Sequence, residues 1–537
     1  MKCKIIHISP TTIIVFLLFA LGFLLRVNHL KAPPLDFHSS RQLRSALISR
    51  AMYYEMNPAS DPATRSLAIE LASDLEAYEP PIFERLVALV YLVIGSEQLW
   101  VARMMASLAW LIGGWFLYRL ACRGSSAVGG VTALAFYLVL PFGVVASRAF
   151  QPDPVMTAAV LAASWCIYSW LENPSAFFSW KWTLSAGIVT GTAVLIKAMA
   201  AFPLAAVALL SVVFSGVLIP PPSTDQPDTH RRYLLRSFLR LGAASALMAL
   251  IPALYYLVFF PGDAGSFMSF WTGRLSSLLL TTRFYLRWLD LIRGLIDPGV
   301  VFLAFLGIFA LRNSTRVIGL GLWVGYGLLG LVFPFQIYTH EYYSLLLVPA
   351  VGLGLAPITA SLWEKLNAPR AAQPMEPESD PQPGTQNQAA HSRLWISVFL
   401  FAALAILGYY AWVARSVVVA TDKSSEPIPW QMMGKEIPQG SIIALTHDYG
   451  ARLKYYGWRK VQRLWPEAAD LQLAEASGSE PISDFEAYFD RKTEGMDYFL
   501  VTLFTSLDIQ PDLKNRLQTL PVAATGDGYI LFDLHTP

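Results

Sequence analysis

Long apolar runs separated by shorter polar segments dominate the chain. A run of roughly 17 to 25 apolar residues can cross a bilayer as a helix. The pattern predicts about eleven such helices and therefore a multispan α-helical membrane protein. The runs centre near residues 12–28, 98–118, 127–146, 154–171, 183–196, 198–218, 241–260, 299–312, 317–335, 343–362 and 394–414.

Two apolar segments need separate treatment. The N-terminal stretch "MKCKIIHISPTTIIVFLLFALGFLLRV" begins with basic residues, but no small-residue cleavage site follows it. We therefore expect an uncleaved first helix. The run "IFERLVALVYLVIG" (82–95) is too short and too charged to span, and is typical of a helix lying at the membrane interface.

The basic residues of the loops predict an orientation, because lysine and arginine accumulate in cytoplasmic loops. Lys2 and Lys4 place the N-terminus inside, together with 118–124, 230–240, 311–316 and 363–393. The segments 31–97, 147–154, 261–298, 336–343 and everything after 415 then fall outside. The segment 261–298 does not fit, because it contains Arg274, Arg283, Arg287 and Arg293. Either a span is miscounted or these arginines bind an anion.

The polar segments divide the chain into four parts. Residues 1–362 form a predicted transmembrane catalytic domain with the large external loop 31–97. A disordered cytoplasmic linker, rich in proline and glutamine, is predicted at 363–393, and the last span at 394–414. Residues 420–537 predict a small extracytoplasmic α/β domain. Its predicted strands are 440–446, 496–504 and 528–534, and its predicted helices are 484–492 and 511–520.

Composition supports the membrane prediction and excludes other classes. Hydrophobic residues make up 55% of the 537 residues and charged residues 15%, with a mean hydropathy of +0.45. Soluble domains usually carry about 25% charge. The net charge of +2 argues against nucleic acid as a partner. The three cysteines, Cys3, Cys122 and Cys166, lie outside the long polar segments, so no disulfide framework is expected.

Acidic residues collect near the predicted external ends of the helices. Asp36 follows the first run, Glu79 and Glu84 flank "PPIF", and Asp153 and Glu341 lie at the starts of the fourth and tenth runs. Charge near hydrocarbon costs several kcal/mol unless it is paired or hydrated. Each acid alone is equally well explained as a solvated loop residue. Several acids on one face favour a functional site.

Basic and aromatic residues accompany these acids. Arg41, Arg103 and Lys197 suit a phosphate, since arginine offers bidentate hydrogen bonds and lysine a point charge. Lys197 could instead extend its amine to the interface. His38 and His340 lie beside acids, so a divalent metal ion is one interpretation, although there is no HExxH motif.

Five segments in order resemble a known family. They are "PPLDFHSSRQ", "YEPPIFERLVALVYLVIGSEQLWVARMMASL", "SRAFQPDPVMTAAVL", "GIVTGTAVLIKAMAAFPL" and "IYTHEYYSLLLVPAVGLGLA". The set resembles the polyprenyl-phosphate-sugar-dependent glycosyltransferases of the GT-C superfold. The similar groups are the bacterial dolichyl-phosphate-mannose–protein mannosyltransferase family and the lipid A aminoarabinose transferase. No single segment is specific to this superfold, but the ordered set of five segments, over about residues 10 to 362, is specific to it.

The resemblance implies a function and a location. Such enzymes move a sugar from a polyprenyl-phosphate carrier to a hydroxyl of a lipid, glycan or protein acceptor, usually with inversion, on the extracytoplasmic side. The chain would be a multi-pass protein of the bacterial inner membrane, in contact with membrane lipids. A transporter or flippase for a lipid-linked sugar is the alternative, but it would need charges through the midplane and repeated, broken helices.

The resemblance also implies roles for individual residues. Asp36 would be the catalytic base, and Asp153 would be a second catalytic residue. The donor phosphate would be bound by Lys197, Arg41, Arg103 and Glu79. Further candidates are His38, His340, Glu341 and Tyr342, and a metal ion would use Glu79 and His340.

The chain departs from the family pattern at two positions, and one segment has two interpretations. Pro80 stands where the family often has lysine, and Ala198 where it often has glycine. An arginine is then expected to replace the missing lysine, either Arg85, Arg103 or one in 261–298. The segment "LTHDYGARLKYYGWRK" (445–460) either contacts a sugar or packs a support domain.

Overall fold

The computed structural model describes residues 9–75, 79–172, 180–214, 227–259, 269–367, 384–476 and 482–535. Helices make up most of this chain. Those before the C-terminal domain are α1 Pro10–Val27, α2 Ser39–Met56, α3 Pro62–Ala72, α4 Ile82–Ile94, α5 Leu99–Gly124, α6 Ala127–Val139, α7 Pro141–Ala146, α8 Asp153–Glu172, α9 Trp180–Ile196, α10 Ala201–Phe214, α11 Pro227–Leu254, α12 Thr282–Leu295, α13 Pro298–Ile308, α14 Asn313–Val332, α15 Pro334–Thr339, α16 Leu347–Asn367 and α17 Gly384–Ala420.

All eleven predicted runs coincide with helix in the part of the chain that the structure describes. Seven helical stretches are individually long and apolar enough to cross a membrane. An eighth is obtained if α12 and α13, bent by 97°, are counted as one broken span. The stretches 127–139 and 198–214 are shorter apolar helices. The multispan helical fold class is therefore confirmed.

A proline divides the third predicted run into α6 and α7. Pro141 has no amide hydrogen, so the carbonyl of Tyr137 loses its helical partner. The indole of Trp110 donates to that carbonyl at 3.2 Å. Arg26, at the end of α1, donates to the carbonyl of Leu138 at 2.9 Å. The helix break therefore fixes the C-terminal end of α1 to its neighbours.

Three of the four arginines that contradicted the orientation lie on the first helix of the bent pair, and Arg274 lies in the 3₁₀ helix Arg274–Leu280 before it. Arg283, Arg287 and Arg293 lie on α12 and are exposed. Asp297 caps α13, because its carboxylate accepts from the amides of Gly299 and Val300 at 2.8 and 3.2 Å. These three arginines thus belong to a helix that runs almost perpendicular to α13. The predicted anion binding by these arginines stays a prediction.

The C-terminal domain has a five-stranded mixed sheet. Its strands are β1 Ile442–Leu445, β2 Arg463–Leu464, β3 Tyr498–Val501, β4 Val522–Gly526 and β5 Tyr529–Asp533, in the order β2-β1-β3-β5-β4. β1 pairs in parallel with β2 and β3, whereas β5 pairs antiparallel with β3 and β4. Its helices are α18 Pro427–Glu436, α19 Ala451–Tyr456, α20 Ala468–Ala476, α21 Phe485–Thr493, α22 Phe504–Asp508 and α23 Pro511–Gln518.

The predicted α/β domain is therefore confirmed, with its three predicted strands and two predicted helices in place. The predicted linker 363–393 overlaps the end of α16 and the start of α17, and residues 368–383 lie outside the described residues. The predicted last span, 394–414, lies within α17.

Two buried apolar clusters position the loops at one end of the bundle. The larger cluster joins α1, α5, α6, α8, α14 and α16. The second lies among α2, α4 and α5 and includes Leu35 and Phe150. Leu35 belongs to the second cluster and Phe37 to the first, so the turn between them is fixed on both sides.

Candidate active site

Asp36 lies in the turn between α1 and α2, facing α5. α1 ends at Val27, six residues before Pro33, so the two expected helix-ending prolines, Pro33 and Pro34, lie instead within the turn, where proline disfavours helix at the residue before it. The carboxylate forms a bidentate ion pair with Arg103, with Nη1–Oδ2 at 2.9 Å and Nη2–Oδ1 at 2.7 Å. The side chain of Arg103 has no exposed surface and that of Asp36 is 6% exposed.

Gln42 holds the same turn from α2. Its Nε2 donates to Oδ1 of Asp36 at 3.2 Å and to the carbonyl of Phe37 at 2.6 Å. Its Oε1 accepts from the amide of Phe150 at 2.9 Å. Gln42 thus joins the loop of Asp36 to the segment between α7 and α8.

The surroundings of Asp36 favour its ionised form. Burial alone would raise the pKa of the carboxyl group. The charge and hydrogen bonds of Arg103, with further contributions from Arg148 and Gln42, instead hold the pKa of Asp36 below its ordinary value. Asp36 is therefore a carboxylate at neutral pH.

Arg148 is a second buried arginine beside this pair. It is 1% exposed, and its Nη2 donates to the carbonyl of His29 at 2.8 Å. Within the described residues its Nε and Nη1 have no hydrogen-bond partner. Burial and the charge of Arg103 lower the pKa of Arg148 to about 10, against the opposite effect of Asp36. Arg148 therefore adds positive charge around the carboxylate.

Asp153 and Lys197 form a second buried pair. The Lys197 amine lies 2.8 and 2.9 Å from the two oxygens of Asp153, and both side chains are 3% exposed. Asp153 is the first residue of α8, where the helix dipole favours an anion. Lys197 lies at the break after α9 and is buried, so its amine is paired instead of extending to the interface.

Tyr342 connects the remaining candidates. Its hydroxyl accepts from Nη2 and Nε of Arg41 at 3.0 and 3.2 Å. Its ring lies 5.0 Å from the Lys197 amine and 4.8 Å from the ring of His38. Burial opposes the charge of Arg41, but Tyr342 and Glu79 raise its pKa above the ordinary arginine value.

His38 lies against the loop before α16. Its Nε2 is 2.9 Å from Oε2 of Glu341, and its ring stacks on that of His340 at 5.7 Å. Burial and the charges of His38 and Arg41 lower the pKa of His340 to about 4. His340 is therefore neutral at physiological pH.

Glu79 lines a cavity of about 220 Å³ beside this cluster. Arg44, Glu55 and Glu84 line the same cavity, as do Pro152 and Ile196, the neighbours of Asp153 and Lys197. Burial raises the pKa of Glu84, whose Oε1 accepts from the hydroxyl of Ser45 at 2.6 Å. A buried carboxyl group with a raised pKa thus lines the same cavity as Glu79.

The residues do not form a metal site of the predicted kind. In the part of the chain that the structure describes, no group of three or more His, Cys, Asp or Glu side chains could hold a metal ion. Glu79 and His340 are both described and belong to no such group. Their geometry therefore gives no support to metal binding.

Two kinds of comparison relate this chain to known proteins. The profile of the dolichyl-phosphate-mannose-protein mannosyltransferase family matches residues 78–256. That range includes Arg103, Asp153 and Lys197 but not Asp36. A search of curated protein sequences found no match.

Solved structures match over nearly the whole chain. ArnT from Cupriavidus metallidurans, bound to undecaprenyl phosphate, superposes with a TM-score of 0.52 and 17% identity, covering 97% of both chains. The archaeal oligosaccharyltransferase AglB from Archaeoglobus fulgidus, in complex with an inhibitory peptide and a dolichol-phosphate, gives a TM-score of 0.54 and 13% identity. It covers 97% of this chain and 75% of AglB. Both are GT-C glycosyltransferases.

The chain has the GT-C fold. The predicted site residues of this chain gather at one end of the helix bundle. Four segments meet there: the α1–α2 turn, the start of α8, the α9–α10 break and the loop before α16. Asp36 pairs with Arg103, and Asp153 pairs with Lys197. Arg41, His38, His340 and Glu341 surround Tyr342.

Sequence reasoning did not select Gln42 or Arg26 as site residues, and it named Glu84 only as one of the acids close to the membrane, without a role. Gln42 and Glu84 are common residue types in helices, and only the fold reveals their partners. Arg26 was detectable, because it is a charged residue at the end of an apolar run.

Proposed function

We propose that this protein is a membrane glycosyltransferase that moves a sugar from a polyprenyl-phosphate carrier to an acceptor hydroxyl. The reaction would take place on the extracytoplasmic side of the bacterial inner membrane. The fold and the family match support the class. The buried Asp36–Arg103 pair at the end of α1 is the observation that supports the chemistry.

Asp36 is the proposed general base. A carboxylate has about four lone-pair sites, and the two Arg103 nitrogens and Gln42 use three of them. The remaining site can accept the proton of the acceptor hydroxyl. The acceptor oxygen then bonds to the anomeric carbon, and the bond from that carbon to the carrier phosphate breaks. Attack opposite the leaving phosphate inverts the anomeric centre.

Arg41 is the proposed partner of the departing phosphate. Arg103 and Lys197 already neutralise Asp36 and Asp153. Within the described residues Arg41 has no ion pair to a carboxylate, and only the Tyr342 hydroxyl binds it. A charged guanidinium with free N–H groups stabilises a phosphate that gains negative charge. Arg41 would thus supply the charge of the lysine that Pro80 replaces.

Asp153 and Lys197 are proposed to support this site as a pair. The Lys197 amine pairs with the Asp153 carboxylate and lies 5.0 Å from the ring of Tyr342, the residue that binds Arg41. Their contribution would be to the placement of Tyr342 and Arg41.

The test is sugar transfer in membranes supplied with a mixture of labelled polyprenyl-phosphate sugars. We expect carrier-dependent transfer by the wild-type chain and at least a hundredfold lower rate for Asp36→Asn. The amide keeps the size of the carboxylate but accepts a proton poorly.

Asp61→Asn is the matched control, because Asp61 lies in the same loop and caps α3 through the amide of Thr64. Asparagine is an equally good cap, so transfer should be unchanged. Equal rates for Asp36→Asn and Asp61→Asn would exclude Asp36 as the base. Absence of transfer by the wild type with every carrier would contradict the proposed function, and a lipid-flipping assay would then test the transporter alternative.

A further inference from the structure

Two turns from opposite ends of the chain meet beside Asp36. The hydroxyl of Ser39 donates to Oδ1 of Asp448 at 2.6 Å. His38, just before Ser39, has a φ of +44°, and Asp448 and Tyr449 have φ of +54° and +53°. Non-glycine residues with positive φ are strained and persist only where the surroundings fix them.

Such strain is concentrated at this contact. Six non-glycine residues in the described ranges have positive φ, and four of them lie in the His38 turn or in 448–458. The fourth is Trp458, whose ring lies 4.3 Å from the guanidinium of Arg50 on α2. The strained positions therefore mark the place where the C-terminal domain meets α2.

The docking surface of the C-terminal domain on α2 and α3 is built from charged and aromatic contacts. Arg50 donates to the carbonyl of Tyr455 at 2.6 Å and lies 3.7 Å from its ring. Lys454 binds Asp74 at 2.5 Å. Each contact crosses from α19 to the external loop.

The apolar core continues through this surface to the ion pair. Ala451 and Tyr455 of α19 belong to the same buried cluster as Leu35 and Ala102. Those two residues are the sequence neighbours of Asp36 and Arg103. The C-terminal domain therefore packs directly behind both members of the pair.

We infer that the C-terminal domain positions the catalytic base, with Asp448 and Ser39 as positioning residues that hold the strained turn carrying Asp36 and His38. The inference rests on the proposed function. Asp448 is itself held by Arg452, which also binds Glu426 at 2.7 Å. A domain outside the bundle thus holds the turn that carries Asp36 through the hydrogen bond between Ser39 and Asp448.

Steady-state transfer by Ser39→Ala and Asp448→Asn tests the inference. Ser39→Ala should lower kcat about tenfold, because a hydrogen bond to a charged group is lost, and leave the KM for the donor within about twofold. Asp448→Asn keeps an oxygen that accepts from Ser39 but loses the negative charge, so its kcat should fall less. Ser39→Thr keeps the hydroxyl and should keep most of the rate. The two substitutions remove the same interaction, so their effects should not add. The kcat of the double variant should stay within about twofold of that of the slower single variant.

Lys460→Gln is the matched control. It removes the ion pair between Lys460 and Glu70, whose charged atoms are 3.0 Å apart. This pair lies on the same docking surface, but its side chains are more exposed than those of the other contacts. Its kcat should stay within about twofold of the wild type. All variants should match this control in thermal midpoint and in detergent elution, so that misfolding is separated from positioning.

Amide hydrogen exchange of residues 33–42 gives a readout that does not depend on transfer. Exchange should be faster in Ser39→Ala and Asp448→Asn than in Lys460→Gln. The inference would be overturned if neither kcat nor exchange changed in the two single variants. It would also be overturned if the losses in kcat added in the double variant, or if only the KM changed. If the wild type transfers no sugar, the proposed function fails by that result, whereas exchange still decides whether Asp448 orders the turn.

Discussion

At the scale of single residues, the proposed chemistry depends on how Arg103 shares the carboxylate of Asp36. The ion pair keeps the proposed base ionised, but it also reduces the affinity of that carboxylate for a proton. Sequence reasoning selected both residues, yet assigned Arg103 to phosphate. The pairing could not be predicted, because 67 residues separate the partners and neither segment encodes the direction of its side chain. Arg41, also assigned to phosphate, keeps that proposed role.

The pH dependence of transfer should report this ion pair. In the wild type, the low pKa of Asp36 should keep kcat constant as the pH falls towards the ordinary aspartate value of about 3.9. In Arg103→Gln the opposing charge is lost, so burial should dominate and raise the pKa of Asp36. We expect the acid limb of kcat to move up by about one to three pH units.

Arg103→Lys is the matched variant, since it keeps the charge and should give a smaller shift. An acid limb at the same pH in all three proteins would mean that Asp36 is not the group that titrates.

At the scale of elements, apolar length predicted the helices and could not predict how they break or bend. The 97° bend at α13 depends on a local cap by Asp297 and on Pro298. The break after α6 depends on side chains distant in sequence, Trp110 and Arg26, that donate to the carbonyls of Tyr137 and Leu138. Two strands were also missed: β2 has only two residues and is exposed, and β4, "VAATG", has few apolar side chains. Both are edge strands of the sheet.

Arg26 should be essential for the stability of the α6–α7 break. It is fully buried and donates to Ser147, to the carbonyl of Leu138 and to that of Gly22. Arg26→Met would leave buried carbonyls without a donor. We expect a loss of about 2 kcal/mol or more in the free energy of unfolding, measured by thermal unfolding in detergent.

Arg293→Met is the comparison for that measurement, because Arg293 and its partner Asp290 are 71% and 66% exposed. An exposed pair contributes less than about 1 kcal/mol. If the two variants unfold at the same temperature, Arg26 does not stabilise the break.

At the scale of the whole molecule, the catalytic end of the bundle lies beside the C-terminal domain. The sequence predicted that domain and its class, because its strands and helices alternate with clear turn signals. It left open whether 445–460 contacts a sugar or supports the fold. The contacts of Ser39 with Asp448 and of Arg50 with Tyr455 place the segment against α2. Such docking could not be predicted, since it depends on complementary surfaces far apart in sequence.

The sidedness of the molecule should agree with this assembly. A reporter fused to the C-terminus should be active outside the cytoplasm, and one inserted at residue 380 should be active in the cytoplasm. Alternation of the spans places the two ends of α17 on opposite sides. The reverse pattern would move every candidate residue to the cytoplasmic face, and it would contradict the proposed extracytoplasmic reaction.

The contact between Ser39 and Asp448 has a consequence for the synthesis of the protein. The two residues are 409 positions apart. At translation rates of about 5 to 20 residues per second, Asp448 leaves the ribosome roughly 20 to 80 s after Ser39. During that interval every span is inserted in turn while the turn with Asp36 has no partner. Under the proposed function, a newly made chain would transfer sugar only after its C-terminal domain has folded against α2.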